Sequence, residues 1–444
     1  MVKIPLKTIY LCVCAVEMLW LLLAQALGNI VLLLPCLACF LVVIAGAALQ
    51  GIAMPVLLFF LPFAPLLKMA PGSISFYTLA LLVVYFIYAV KGSRNIPIFH
   101  LIPGVCLLML TLVVKITAGI SIDNAYILFC ISLLLVPFLA LELGEKCDFY
   151  WVTVFFVCGI IMAAVTARFM ASIPTIARYI DINVNLGFAR RSGYYGDPNF
   201  YSSHITAALG GLLVLLMQNL SKIKRAILVA MVIVLIYCGL MSVSKSFLLV
   251  SLSLLLFWFV GFMFRRGKMS AKLAMLVTVL IAAVFLLSST VFQDMLDVML
   301  SRFVGNSNLS AFTTKRVDLW VNYFNAFRED ASLLLFGKGF SNILLYGRGS
   351  HNTLIQCVYQ FGLLGTVFLA AWAIFFVRTM MMRRSAWGIE IAPIAILVLG
   401  AFGPWLGLDF LFLDEFFLLP IYVCAAVRFL HDRREGVLSA AEEM

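Results

Sequence analysis

His351 is one of only four histidines in the chain, and the residues around it are of types that suit chemistry. Lys338-Gly339-Phe340-Ser341-Asn342 and Tyr346-Gly347-Arg348-Gly349-Ser350 lead up to His351-Asn352, after which the sequence turns at once into an apolar run carrying Gly362 and Gly365. A neutral imidazole takes up a proton near physiological pH, which is what activating a hydroxyl requires, and glycines on its approach let backbone come close to a ligand. Taken alone, a histidine at a helix mouth more often caps the helix or packs at an interface.

Three cationic stretches give it company. Arg190 and Arg191 precede Ser192-Gly193-Tyr194-Tyr195-Gly196-Asp197-Pro198. A guanidinium fork matches two phosphate oxygens at once, although arginines at a membrane edge also anchor to lipid headgroups. Asp197, directly before Pro198, suits a helix N-cap. Lys245 sits in Ser242-Val243-Ser244-Lys245-Ser246 with apolar sequence on both sides, so it either snorkels outward or meets an anionic ligand. Lys315-Arg316 open a stretch in which Val317, Trp320, Val321, Phe324 and Phe327 recur at steps of three and four. That spacing predicts an amphipathic helix, lying on the membrane face or packed on the rest of the protein. Cations at its start oppose the helix dipole, so their partner is either a ligand or Asp318.

The elements that must position these residues are membrane spans. Of 444 residues, 64% are hydrophobic and 11% charged, against roughly 45–50% apolar in soluble domains. Apolar runs long enough to cross a bilayer follow one another from Ile9 to Phe429, and they are continuous, not alternating, which excludes a β-barrel. The expectation is a single all-α polytopic membrane domain over 1–444 with about 12–14 transmembrane helices, including spans near 51–67, 271–290, 387–406 and 409–428. Lys3 and Lys7 followed by apolar sequence mimic a secretory signal, but Glu17 and the immediate continuation into more apolar sequence favour an uncleaved first helix.

Basic residues in the short loops (Lys91/Arg94, Lys222/Lys224/Arg225, Arg265/Arg266/Lys268/Lys272, Arg378/Arg383/Arg384) and in the tail place those loops and both termini in the cytoplasm. Two long polar loops, 172–197 and 291–350, then lie outside, the second carrying the amphipathic helix and ending at His351. The outer loops are basic too, with Arg190, Arg191, Lys245, Arg316, Lys338 and Arg348 all on that face. Cations set against the topological bias suit an anionic external ligand; solvated charges paired with loop carboxylates are the plain alternative. No Walker A sequence or G-x-G-x-x-G loop is present, so ATP-driven transport by this chain alone is not expected; a nucleic-acid partner is not expected either. The eleven cysteines lie almost all in apolar runs and indicate neither a disulfide framework nor a metal site, even at Cys36 and Cys39.

Several of these stretches fall in a fixed order over about residues 185–370: Arg191-x-Gly193 with Asp197-Pro198-Asn199, Ser244-Lys245, Lys315-Arg316-x-x-x-Trp320, Phe336-Gly337-Lys338-Gly339, and His351-Asn352 with Gly362-Leu363-Leu364-Gly365. The set resembles the O-antigen ligase and O-antigen polymerase superfamily of bacterial surface-polysaccharide enzymes. The resemblance implies a glycosyltransferase of the bacterial cytoplasmic membrane with its site facing the periplasm. It would take an undecaprenyl-pyrophosphate-linked glycan, need no cofactor, and work beside a chain-length regulator or flippase. It implies that His351 is the base acting on an acceptor hydroxyl, that Arg191 and Arg316 grip the donor pyrophosphate with Arg190 as neighbour, and that Lys245 stands where many members carry arginine. Arg348 and Asn352 join the set as substrate contacts beside the histidine. Polymerisation of O-antigen, capsule or exopolysaccharide repeat units is the first reading, and ligation of glycan to lipid A-core the second. A lipid-linked oligosaccharide flippase is the alternative from another class, expected to show repeated halves and charge along a central path.

Overall fold

The computed structural model describes residues 5–70, 73–92, 101–146, 148–180, 184–185, 188–264, 313, 315–341, 344–381 and 391–442, with isolated positions between 269 and 298. The protein is an all-α polytopic membrane protein. Among the described residues seven helices are long and apolar enough to cross a membrane: α1 (Leu6–Leu27), α2 (Ile30–Leu49), α7 (Phe149–Met170), α9 (Pro198–Leu216), α10 (Lys222–Met241), α11 (Lys245–Phe264) and α14 (Thr353–Met381). Between them come α6 (Asn124–Lys146) and the shorter α3 (Ala53–Phe60), α4 (Phe76–Gly92), α5 (Ile102–Thr117) and α8 (Pro174–Ala177). Two helices of the second long loop are α12 (Arg316–Glu329) and α13 (Ala331–Phe336), and α15 (Ile391–Phe402) and α16 (Glu415–Glu442) close the chain. The expected span 271–290 and most of 291–312 lie outside the described residues.

Local sequence decides where spans break. Gly28 adopts φ 58° and ends α1, and the Asn29 carboxamide oxygen accepts the Val31 N–H to start α2. The stretch expected as one span over 51–67 is instead α3 followed by a 3-10 turn over Leu61–Leu66. Pro62 and Pro65 remove amide donors that a continuous α-helix would need, and the tighter turn accommodates them. All eight residues of α3 are buried, so this broken segment is interior and not a lipid-facing span. At the other end, the helix expected from 409 begins at Glu415, and 407–414 is loop.

The chain divides into two compact units: Met1–Phe155 with Thr313–Ile389 and Trp405–Met444, and Phe156–Phe312 with Glu390–Pro404. In the second, α9 is buried along almost its whole length and crosses α15 through glycines. A Cβ on Gly400 would stand 2.7 Å from the Thr206 carbonyl oxygen, and Thr206 Oγ1 donates to the Gly400 carbonyl at 3.0 Å. Small residues let the two backbones meet, and the polar pair is satisfied inside the membrane. In the first unit, cross-helix bonds join helix ends that strict alternation of spans puts on one side: Lys7 with Asp148, Lys91 with the Ala48 and Leu49 carbonyls, Gln25 with the Leu66 and Lys68 carbonyls, and Thr78 with Asp414. Large side chains that face outward, such as Val31, Val42, Ile223 and Ile374, would be out of place in water and suit lipid.

Candidate functional site

The second unit collects Arg190, Arg191 and Lys245. Asp197 caps α9 as its position before Pro198 predicts, its Oδ1 accepting the Asn199 N–H at 2.7 Å. Asn199 in turn takes the Ser244 hydroxyl at 2.8 Å, which ties the start of α9 to the turn between α10 and α11. Onto that same turn the arginine pair is laid: the Arg191 N–H donates to the Met241 carbonyl at 3.0 Å and Arg190 Nε to the Ser242 carbonyl at 3.1 Å. The two arginines therefore differ. Arg190 is buried and spends part of its guanidinium on backbone, so it is an anchor of the turn. Arg191 contributes only its backbone, and among the described residues its half-buried guanidinium has neither hydrogen-bond nor ion-pair partner. Lys245 begins α11, half-buried, two residues after Val243 at φ 49°.

The first unit collects Arg316, Arg348, His351 and Asn352. Arg316 starts α12 behind Lys315, which is left-handed at φ 63°. The helix exists where the spacing predicts it, but the packed face differs from the expected stripe. Tyr323 and Phe327 are buried with Leu319 and Ala326 beside them, while Val321 and Phe324 face outward at 49% and 59% exposure. The helix is apolar on two sides, and spacing alone does not tell which one meets protein. From the packed side, Trp320 Nε1 donates to the Ser350 carbonyl at 3.0 Å and the Tyr323 hydroxyl to the Arg348 carbonyl at 2.8 Å. Burial pushes the Tyr323 phenol up, which keeps it a donor.

His351 itself is exposed, with φ 49°, a left-handed conformation that a non-glycine residue holds only when its neighbours dictate it. They do so on both sides. The Ser350 N–H donates to Gln356 Oε1 at 3.2 Å and the Ser350 hydroxyl to the Asn352 carbonyl at 2.7 Å. Asn352 is the cap of α14: its Oδ1 accepts the N–H groups of Leu354 and Ile355, and its Nδ2 donates to the Leu406 carbonyl. The cap role open to a histidine at a helix mouth thus belongs to Asn352, which makes Asn352 a scaffold residue. Arg348 is exposed, and among the described residues its side chain has no partner.

Beneath the turn, α14 breaks at Gly362, whose φ 67° and ψ 179° only glycine tolerates. The break leaves carbonyls of the preceding turn without helical partners. Lys338 N–H takes that of Tyr359 at 3.0 Å, and the Gly339 and Phe340 N–H groups take that of Gln360 at 2.9 and 3.3 Å. Gly337 and Gly362 meet backbone to backbone there, leaving no room for a Cβ on either.

Asp409 was not among the residues that sequence reasoning singled out. The 407–414 loop brings its carboxylate against the turn, where Oδ2 lies 3.7 Å from the position of a Cβ on Gly349, and Oδ1 accepts the Leu411 N–H at 3.0 Å. Burial pushes the Asp409 carboxyl up to about 6, against the lowering effect of the Leu411 N–H. An acidic residue inside an apolar stretch was the available signal; reading 409–428 as a span hid it. Among the described residues no three His, Cys, Asp or Glu side chains group so as to hold a metal ion. Cys36 donates its thiol to Glu17 at 3.2 Å. No protein-family model matches the chain, and no curated protein matches it.

Proposed function

We propose that this chain is a glycosyltransferase of the outer face of the bacterial cytoplasmic membrane. It moves glycan from an undecaprenyl-pyrophosphate donor to a sugar hydroxyl, building O-antigen, capsule or exopolysaccharide repeat units into polymer. The observation that carries the reading is His351, an exposed imidazole held left-handed in a turn clamped on both sides. Such strain is worth about 1–3 kcal/mol and persists where surrounding contacts over-determine it, commonly at active sites. The imidazole takes the proton from the acceptor hydroxyl. The hydroxyl oxygen attacks the anomeric carbon, the bond from that carbon to phosphate breaks, and the polyprenyl pyrophosphate leaves with the added negative charge. Arg316, in the same unit as His351, is a cation for that charge, and the resemblance assigns Arg191 and Lys245 to the donor as well; among the described residues the Arg191 guanidinium has no hydrogen-bond or ion-pair partner.

The test is reconstitution of purified protein in vesicles with a labelled lipid-linked repeat unit. Longer glycan on the lipid, absent in His351→Ala and strongly reduced in Arg191→Ala, is the expected result. Label that crosses the bilayer with its glycan unchanged would identify a carrier and overturn the reading.

A further inference from the structure

We propose that Gln356 is a positioning residue for His351, acting through the Ser350 peptide. The inference rests on the glycosyl-transfer reading for its kinetic consequence and on geometry alone for its structural one. Gln356 lies one helical turn below Asn352 in α14 and is fully buried. Its Oε1 accepts the N–H of Ser350, the residue directly before His351, at 3.2 Å, and lies 3.5 Å from the Tyr323 hydroxyl. That hydroxyl is committed to the Arg348 carbonyl at 2.8 Å. One side-chain oxygen therefore gathers α12, the approach to His351 and the first turn of α14. The orientation of the amide is fixed, because a backbone N–H meets only the carboxamide oxygen and never its NH2. The cost is visible: Nε2 has no hydrogen-bond partner among the described residues. A buried donor left unmet costs about 1–3 kcal/mol, so the acceptor side of the amide is the side the fold uses. Gln360, one turn further on, repeats the device by accepting the Ser341 N–H at 2.8 Å through its Oε1. The two glutamines fasten both ends of the approach to one helix face. Of these, Gln356 is the one that adjoins the strained histidine.

Gln356→Met keeps the length of the side chain and removes the acceptor; Gln356→Glu keeps an oxygen facing Ser350. Expected for Gln356→Met is a kcat lower by about 10–100-fold, the loss that follows a misplaced catalytic group. Donor KM should stay near wild type, and the pH profile of kcat/KM should keep its shape at lower height. Gln356→Glu should recover most of the rate. Amide exchange of the Ser350 N–H, followed by mass spectrometry on peptides covering 344–353, should quicken in Gln356→Met and not in Gln356→Glu. Unchanged exchange at Ser350 overturns the proposal, as does wild-type turnover in Gln356→Met or an equal loss in both variants with a lowered melting temperature. Should the wild type itself transfer nothing, the transfer reading fails, and the exchange measurement still decides whether Gln356 holds the turn.

Discussion

At the scale of residues, the left-handed His351 separates its two contributions. Its side chain is the candidate base, while its backbone carries a strain that glycine would relieve and asparagine tolerates better than most residues. His351→Gly should therefore melt at a higher temperature than His351→Ala, with both inactive, and His351→Asn should fold well while losing at least about 100-fold in transfer. Equal melting temperatures for the glycine and alanine variants would argue against strain at this position. Asp409 offers a second test. Its carboxyl is raised from 3.8 to about 6 by burial, so the folded protein binds this proton more tightly than the unfolded chain does. The stability held by the protonated form is complete below about pH 4 and is lost as pH rises through about 6. Asp409→Asn should accordingly stabilise the protein at pH 7.5, by about 2 kcal/mol, and show little difference at pH 4. His351, Arg191 and Lys245 could be named as candidates from the sequence by residue type and by their place at the ends of apolar runs. Gln356, Tyr323 and Asp409 were not, since what distinguishes them is which backbone groups reach them across more than 20 residues of chain in two of the three cases.

At the scale of elements, α14 is two helical pieces joined by a glycine that must be glycine. Gly362→Ala adds a side chain where the Leu335 and Phe336 backbone already lies, at a backbone conformation alanine rarely adopts. The expected loss is at least about 3 kcal/mol, or failure to obtain monodisperse protein. Gly347→Ala is the control: its φ is also positive, at 71°, but nothing lies within 4 Å, so the loss should be about 1 kcal/mol. Comparable melting temperatures for the two would show that the backbone contact is unimportant. The apolar run after His351, with Gly362 and Gly365 in it, was readable as a span; its break was not, because a lone glycine in a span marks a kink only when another segment needs the space. The prolines at 62 and 65 were a plainer signal, and counting hydrophobic length alone overrode them.

At the scale of the whole molecule, the proposed function requires α12 and α13 on the outer face and the loop before α10 in the cytoplasm, the side its basic residues Lys222, Lys224 and Arg225 favour. Ser332→Cys in α13 should react with a membrane-impermeant maleimide on intact spheroplasts, and Lys222→Cys only after permeabilisation, each measured over the native cysteine background. Labelling of Lys222→Cys in intact cells would invert the topology and remove His351 from the outer face. Polytopic all-α architecture needed nothing beyond composition and run length, because lipid demands helices of sufficient apolar length wherever a chain crosses it. Division into two compact units left no trace in those quantities, since every span looks equally apolar whichever neighbours it chooses.

The meeting of Gly337 with Gly362 also makes a ruler. The outer piece of α14, Thr353 to Phe361, is nine residues, about 13 Å of helix. It is pinned at its inner end by that backbone contact and at its outer end by the Asn352 cap. A strut fixed at both ends holds the imidazole at one altitude above the break. Under the proposed function, a sugar tethered by pyrophosphate to a lipid would have an altitude of its own, and the distance from tether to reacting hydroxyl would become a selection criterion that no contact with the sugar need enforce.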